Sequence, residues 1–141
     1  MVVVVGRLNG DRVAGVSTHH RRSVCQVCGR TDPRKLVQAL IPDSSAIDEL
    51  ELGADGYRLV TVCSDDELHA LIALGRATWV DEQLWLGRLG RASIAPGMRR
   101  ATLLAVARWA GLTHEQLRRV VAWNATRVAS TESLPGGQLL R

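Results

Sequence analysis

Three cysteines carry most of the chemistry this sequence offers. Two form the turn Cys25-Gln26-Val27-Cys28, and the third, Cys63, follows the apolar run Leu59-Val60-Thr61-Val62. A C-x2-C pair sets two thiolates on one tight turn, where they can hold a metal ion or cycle through a disulfide. Redox use would want a strand before the pair and a helix opening at it. Here the pair follows Ser17-Thr18-His19-His20-Arg21-Arg22 and precedes Gly29-Arg30-Thr31-Asp32-Pro33, a knuckle and then a loop. That context favours metal. With Cys63 there are three thiolates, and a structural tetrahedral zinc site needs one more ligand. His69 is the first candidate, one turn into the helix expected after Cys63, because helical side chains lean towards the N-terminus. Asp66 has the commoner three-residue spacing from Cys63, and His20 lies five residues before Cys25. The rival readings are three unrelated cysteines and a catalytic metal.

Several elements must bring these residues together. Leu36 to Ile41 is a short apolar run stopped by Pro42, and Tyr57 to Val62 is rich in β-branched residues; both read as strands. Between them Asp43 to Gly56 is acidic and loop-like, broken by Gly53 and Gly56. Ser64 suits an N-cap, with Glu67 completing a capping box and Asp65 and Asp66 in the first turn. Leu68, Leu71 and Ile72 would form the buried face of this helix, and Gly75 its end. A strand ending at Cys63 thus delivers a thiolate to a helix mouth, where the dipole favours negative charge. Upstream, Val2 to Val5 and Arg12 to Val16 flank Leu8-Asn9-Gly10-Asp11, either as a hairpin or as a frayed tail.

The knuckle, the two strands and the helix resemble the treble-clef zinc finger, and in particular the zinc-bound HNH endonuclease family. The resemblance covers residues 25 to about 75 and rests on Cys25-x2-Cys28, Leu36 to Pro42, Leu59 to Cys63 and the helix beyond. In that family a second C-x2-C usually stands at the strand–helix junction; here Asp66 occupies the partner cysteine's place. The family's general-base His falls where this chain has Gln38 and Ala39, and its Asn where Tyr57 and Arg58 stand. The resemblance implies the scaffold and argues against the activity, since hydrolysis of a phosphodiester needs the activated water that the base provides.

The C-terminal half reads as helical. Helices are expected over Asp81 to Arg91, from Pro96 to about Ala110, and from Thr113, capped with Gln116, to about Ala129. The last two look like a helix-turn-helix: Ala107 is small at the crossing, Gly111 makes the turn, and Leu112, Leu117 and Val120 fill the wedge. Gln116, Arg118 and Arg119 would then face outward, able to meet base edges and phosphates. A packing or dimerisation hairpin has the same pattern. Trp79, Trp85, Trp109 and Trp123 are expected as core or interface anchors.

Composition bounds these readings. At 141 residues and 15.4 kDa, with 46% apolar residues, the chain can hold its own core. Its apolar runs are far too short for a membrane span. The net charge of +4 hides a pattern: residues 1–35 and 81–141 are Arg-rich, and residues 36–80 are acidic. Seventeen of the eighteen basic residues are Arg, which suits phosphate or carboxylate partners and equally follows from a high-GC bacterial genome. An odd cysteine count and an N-terminus without a leader pattern point to a reducing, cytoplasmic compartment. The expected fold is therefore α+β. It comprises an arm over 1–22, a treble-clef-like zinc-binding ββα unit over 23–78, a helical region over 79–129 and a tail over 130–141. The expected function is non-catalytic binding through structural Zn2+, with DNA or RNA as partner and Arg21, Arg22, Gln116, Arg118 and Arg119 at the contact. An HNH-type nuclease, and a structural or adaptor protein forming a homo-oligomer or larger complex, are the alternatives.

Overall fold

The computed structural model describes residues 4–7 and 24–132 and is α+β. The chain divides into two units, residues 1–79 and 80–141, each with its own core.

In the first unit the strands are β1 (Val4–Arg7), β2 (Val37–Pro42) and β3 (Tyr57–Val62), in the antiparallel order β1-β2-β3. The β2–β3 register sets Val37 opposite Val62 and Ala39 opposite Val60. Alternation along each strand therefore turns Ala39, Ile41, Val60 and Val62 to one face, and all four are buried. Helix α1 (Asp65–Ala77) covers that face with Leu68 and Ile72, while Val37 and Leu71 pack at its margin. Pro42 is the last residue of β2 and does not stop it short: it stands opposite Tyr57. β1 pairs with β2, Arg7 opposite Val37; residues 8–23, with the other arm of the expected hairpin, lie outside the described residues.

Gly75 does not end α1, which runs two residues further. Its role is close approach: a Cβ there would overlap the carbonyl oxygen of Pro42. The missing side chain lets the helix lie against the end of β2. The acidic connection is folded too. The Asp43 carboxylate accepts from the Ser45 hydroxyl and N–H at 2.6 and 2.9 Å and pairs with Arg58 at 3.0 Å. Asp48 accepts from the N–H groups of Leu50 and Glu51 at 2.8 and 2.7 Å. Here Asp side chains satisfy the backbone that a loop leaves open.

The second unit holds α2 (Asp81–Ser93), α3 (Leu103–Trp109) and α4 (His114–Glu132). Trp85, Leu89 and Ala92 recur along one face of α2 and meet Val106 and Ala107 of α3, then Leu112, Leu117 and Val120. The expected small crossing residue and wedge residues are thus buried in one cluster. Helix α3 starts later than Pro96 predicts, because residues 94–101 form successive turns, with Gly97 at φ 82°, and Thr102 supplies the cap. Gly111, at φ 73°, ends α3: its N–H reaches the Arg108 carbonyl, and the Leu112 N–H reaches that of Ala107. This is a Schellman stop, which favours glycine at the left-handed position. Thr113 and Gln116 then bond reciprocally at 2.9 and 3.2 Å to open α4. Helix α4 continues through Glu132, so the start of the expected tail is helical. Among the tryptophans Trp85 is buried, whereas Trp109 is 52% exposed and anchors no core.

Candidate metal centre

Local backbone geometry makes the knuckle. The Cys25 N–H bonds the Arg30 carbonyl at 2.8 Å, and the Gly29 N–H bonds that of Cys25 at 2.9 Å. Gly29 takes φ 76°, which closes the turn after Cys28. A third bond, from the Gln26 N–H to the Thr61 carbonyl at 2.9 Å, ties the knuckle to β3 two residues before Cys63. The knuckle thiols are thereby held beside the mouth of α1.

Four donors converge there. One ligand atom from each of Cys25, Cys28, Cys63 and Glu67 lies within 4.8 Å of all the others. The Sγ atoms of Cys28 and Cys63 are 3.4 Å apart, and the Cys25 and Cys63 thiols reach Glu67 Oε2 at 3.1 and 3.2 Å. In a tetrahedral zinc site with bonds of about 2.3 Å, ligand atoms stand roughly 3.7 Å apart, so this spacing suits one ion. Three thiolates and a carboxylate are also a donor set that zinc accepts. No other such group of side chains occurs among the described residues.

Glu67 was missing from the expected ligands. Its backbone N–H does bond the Ser64 hydroxyl at 3.2 Å, completing one half of the capping box. The carboxylate makes the other half with a different partner, accepting from the Cys63 N–H at 3.1 Å. A side chain in the third helical position reaches back over the helix mouth, and the thiols are there. The signal in the sequence is Cys63-x3-Glu67, whose Glu also fits the helix cap. His69 and Asp66 are exposed on α1 and do not join the group; His20 lies outside the described residues.

Crowding polarises Glu67, Cys63 and Cys25. Hydrogen bonds from the Cys25 and Cys63 thiols, then from the Cys63 N–H, hold Glu67 down to about 2. Hydrogen bonding with Cys28, then with Glu67, pushes the Cys63 thiol up to about 12. At Cys25 burial opposes ionisation, but the backbone N–H groups of Cys28 and Val27 outweigh it and the thiol is lowered. A metal ion bound here must displace the proton on Cys63.

Of the residues expected at a nucleic-acid interface, Gln116, Arg118 and Arg119 are engaged within the second unit. Gln116 Oε1 is held by the Thr113 N–H, and Arg119 donates twice to Glu82 Oε1, at 2.9 and 2.6 Å. Arg119 also lies 4.7 Å over the Trp85 ring. Among the described residues Arg118 pairs with Glu115, one turn back, and both side chains are about two-thirds exposed, at 69% and 66%. Arg21 and Arg22 lie outside the described residues.

Comparison with protein families, curated proteins and solved structures finds no match for this chain. Among the described residues no helix is long and apolar enough to cross a membrane.

Proposed function

We propose that this chain is a non-catalytic binding protein whose first unit is held by structural zinc on Cys25, Cys28, Cys63 and Glu67. The observation that carries the reading is the convergence of these donors from a knuckle and a helix mouth 35 residues apart in sequence between Cys28 and Cys63. The order of knuckle, hairpin and helix supports a treble-clef-like scaffold similar to that of HNH endonucleases. Where that family keeps its base and its Asn, Ala39 is buried and Arg58 is paired with Asp43. These positions support binding over hydrolysis.

The ligand we propose is nucleic acid. Support comes from Arg99, Arg100, Arg108 and Arg118, all exposed on the helical unit, since arginine suits phosphate. Purified protein should contain about one zinc per chain, and its retardation of DNA or RNA in a mobility shift should fall steeply with salt. Arg118→Ala should weaken the shift. Retention that salt and this change leave unaltered would sink the nucleic-acid reading.

A second reading, a protein adaptor, is favoured by the apolar side chains on the second unit. Leu103, Leu104 and Trp109 of α3 and Val121 and Val128 of α4 are 41–55% exposed. A stable dimer in light scattering, with no retention of nucleic acid, would select it.

A further inference from the structure

We propose that Cys28 is an oxidation site for hydroperoxides, and that its oxidation ends in a Cys28–Cys63 disulfide with loss of the zinc ion. The proposal rests on the zinc reading above and adds a reaction to it. Three observations distinguish the thiols. Cys25 is buried, at 1% exposure, whereas Cys28 is exposed and Cys63 is intermediate. Cys28 also lines an open polar trough with Arg30, Thr31 and Lys35, so a small polar oxidant reaches its sulfur from solvent. The Cys63 sulfur already stands 3.4 Å from that of Cys28, at the distance from which a second sulfur attacks.

The reaction balances without another reagent. The Cys28 thiolate attacks the hydroperoxide, forming an S–O bond, breaking the O–O bond and leaving a sulfenic acid and hydroxide or alkoxide. The Cys63 thiolate then attacks the Cys28 sulfur, forming the S–S bond and expelling hydroxide. Two thiolates together lose two electrons, the peroxide gains them, and zinc leaves as Zn2+ without changing oxidation state. Only Cys25 and Glu67 then remain as donors, too few for a structural site. The new bond joins the knuckle to the β3–α1 junction where the ion had joined them, so metal is lost while the crosslink is kept. Cys25, buried and bonded to Glu67, is left as the thiol.

The test is a titration of the full zinc-loaded chain with hydrogen peroxide. Zinc release is followed by a chromogenic chelator, and the disulfide is located by peptide mass mapping. Complete release at about one equivalent of peroxide is expected, with a Cys28–Cys63 peptide, Cys25 still open to alkylation, and zinc uptake restored by a thiol reductant. Zinc retained at about ten equivalents, or a Cys25–Cys28 disulfide as the product, overturns the proposal. A chain that takes up no zinc at all fails the zinc reading instead. In that case the disulfide map of the metal-free chain still decides the pairing, because it requires no metal.

Discussion

Glu67 and His69 lie two positions apart on α1 and have opposite fates. The difference is rotation about the helix: two residues turn a side chain through roughly 200°, so only one of them can face the mouth above Cys63. Glu67→Gln keeps the shape but removes the charge, and we expect zinc affinity to fall by at least about tenfold, as for other losses around a metal centre. His69→Ala should leave affinity unchanged, and competition with a fluorescent chelator measures both. Asp43 offers a separate test at this scale. Burial opposes its ionisation, but the Ser45 hydroxyl, the Ser45 N–H and Arg58 together hold the carboxyl below its ordinary value of 3.8. A group depressed on folding adds stability above its unfolded value and loses it as pH falls through the folded one. The acid limb of the stability curve below pH 4 should therefore flatten in Asp43→Asn, as read by urea midpoints at successive pH values.

Elements here are set by their ends and by their closest contacts. Gly75→Ala must push α1 off Pro42, and overpacking of this kind costs about 1–3 kcal/mol. A lowered urea midpoint with an unchanged slope would show it; no loss would mean that the helix can slide. Thr113→Ala removes the hydroxyl that receives the Gln116 N–H and should cost about 1 kcal/mol by the same measurement. The Thr113–Gln116 capping box and the Ser64 half of the other are legible, because Ser/Thr and Glu/Gln three residues apart carry their chemistry in sequence. The start of α3 was misplaced for a related reason: Pro96 suits a first helical turn, but it also suits a plain turn, and Gly97 in the left-handed region makes it one. Gly75 departs from its expected role because a glycine late in an apolar pattern resembles a stop. Only the neighbour, a carbonyl oxygen 33 residues earlier, reveals that it is a packing position.

For the whole molecule, two separate cores mean that metal should matter to one unit alone. Chelation should strip hydrogen-exchange protection from β2, β3 and α1 while α2, α3 and α4 keep theirs. Equal loss in both units would contradict this. Part of the charge pattern is also consumed internally: Asp43 holds Arg58, and Glu82 holds Arg119. The sequence by itself determined the α+β content, the strands β2 and β3, the wedge between α3 and α4, and the three cysteines as the centre of interest. Each follows from local spacing, because period, caps and a C-x2-C turn are properties of neighbouring residues. Only the tertiary structure decided that Glu67 completes the donor set, that Cys28 stands closest to solvent, and that Arg119 serves Glu82 and Trp85. Those outcomes depend on which groups meet across long stretches of chain, and packing decides that.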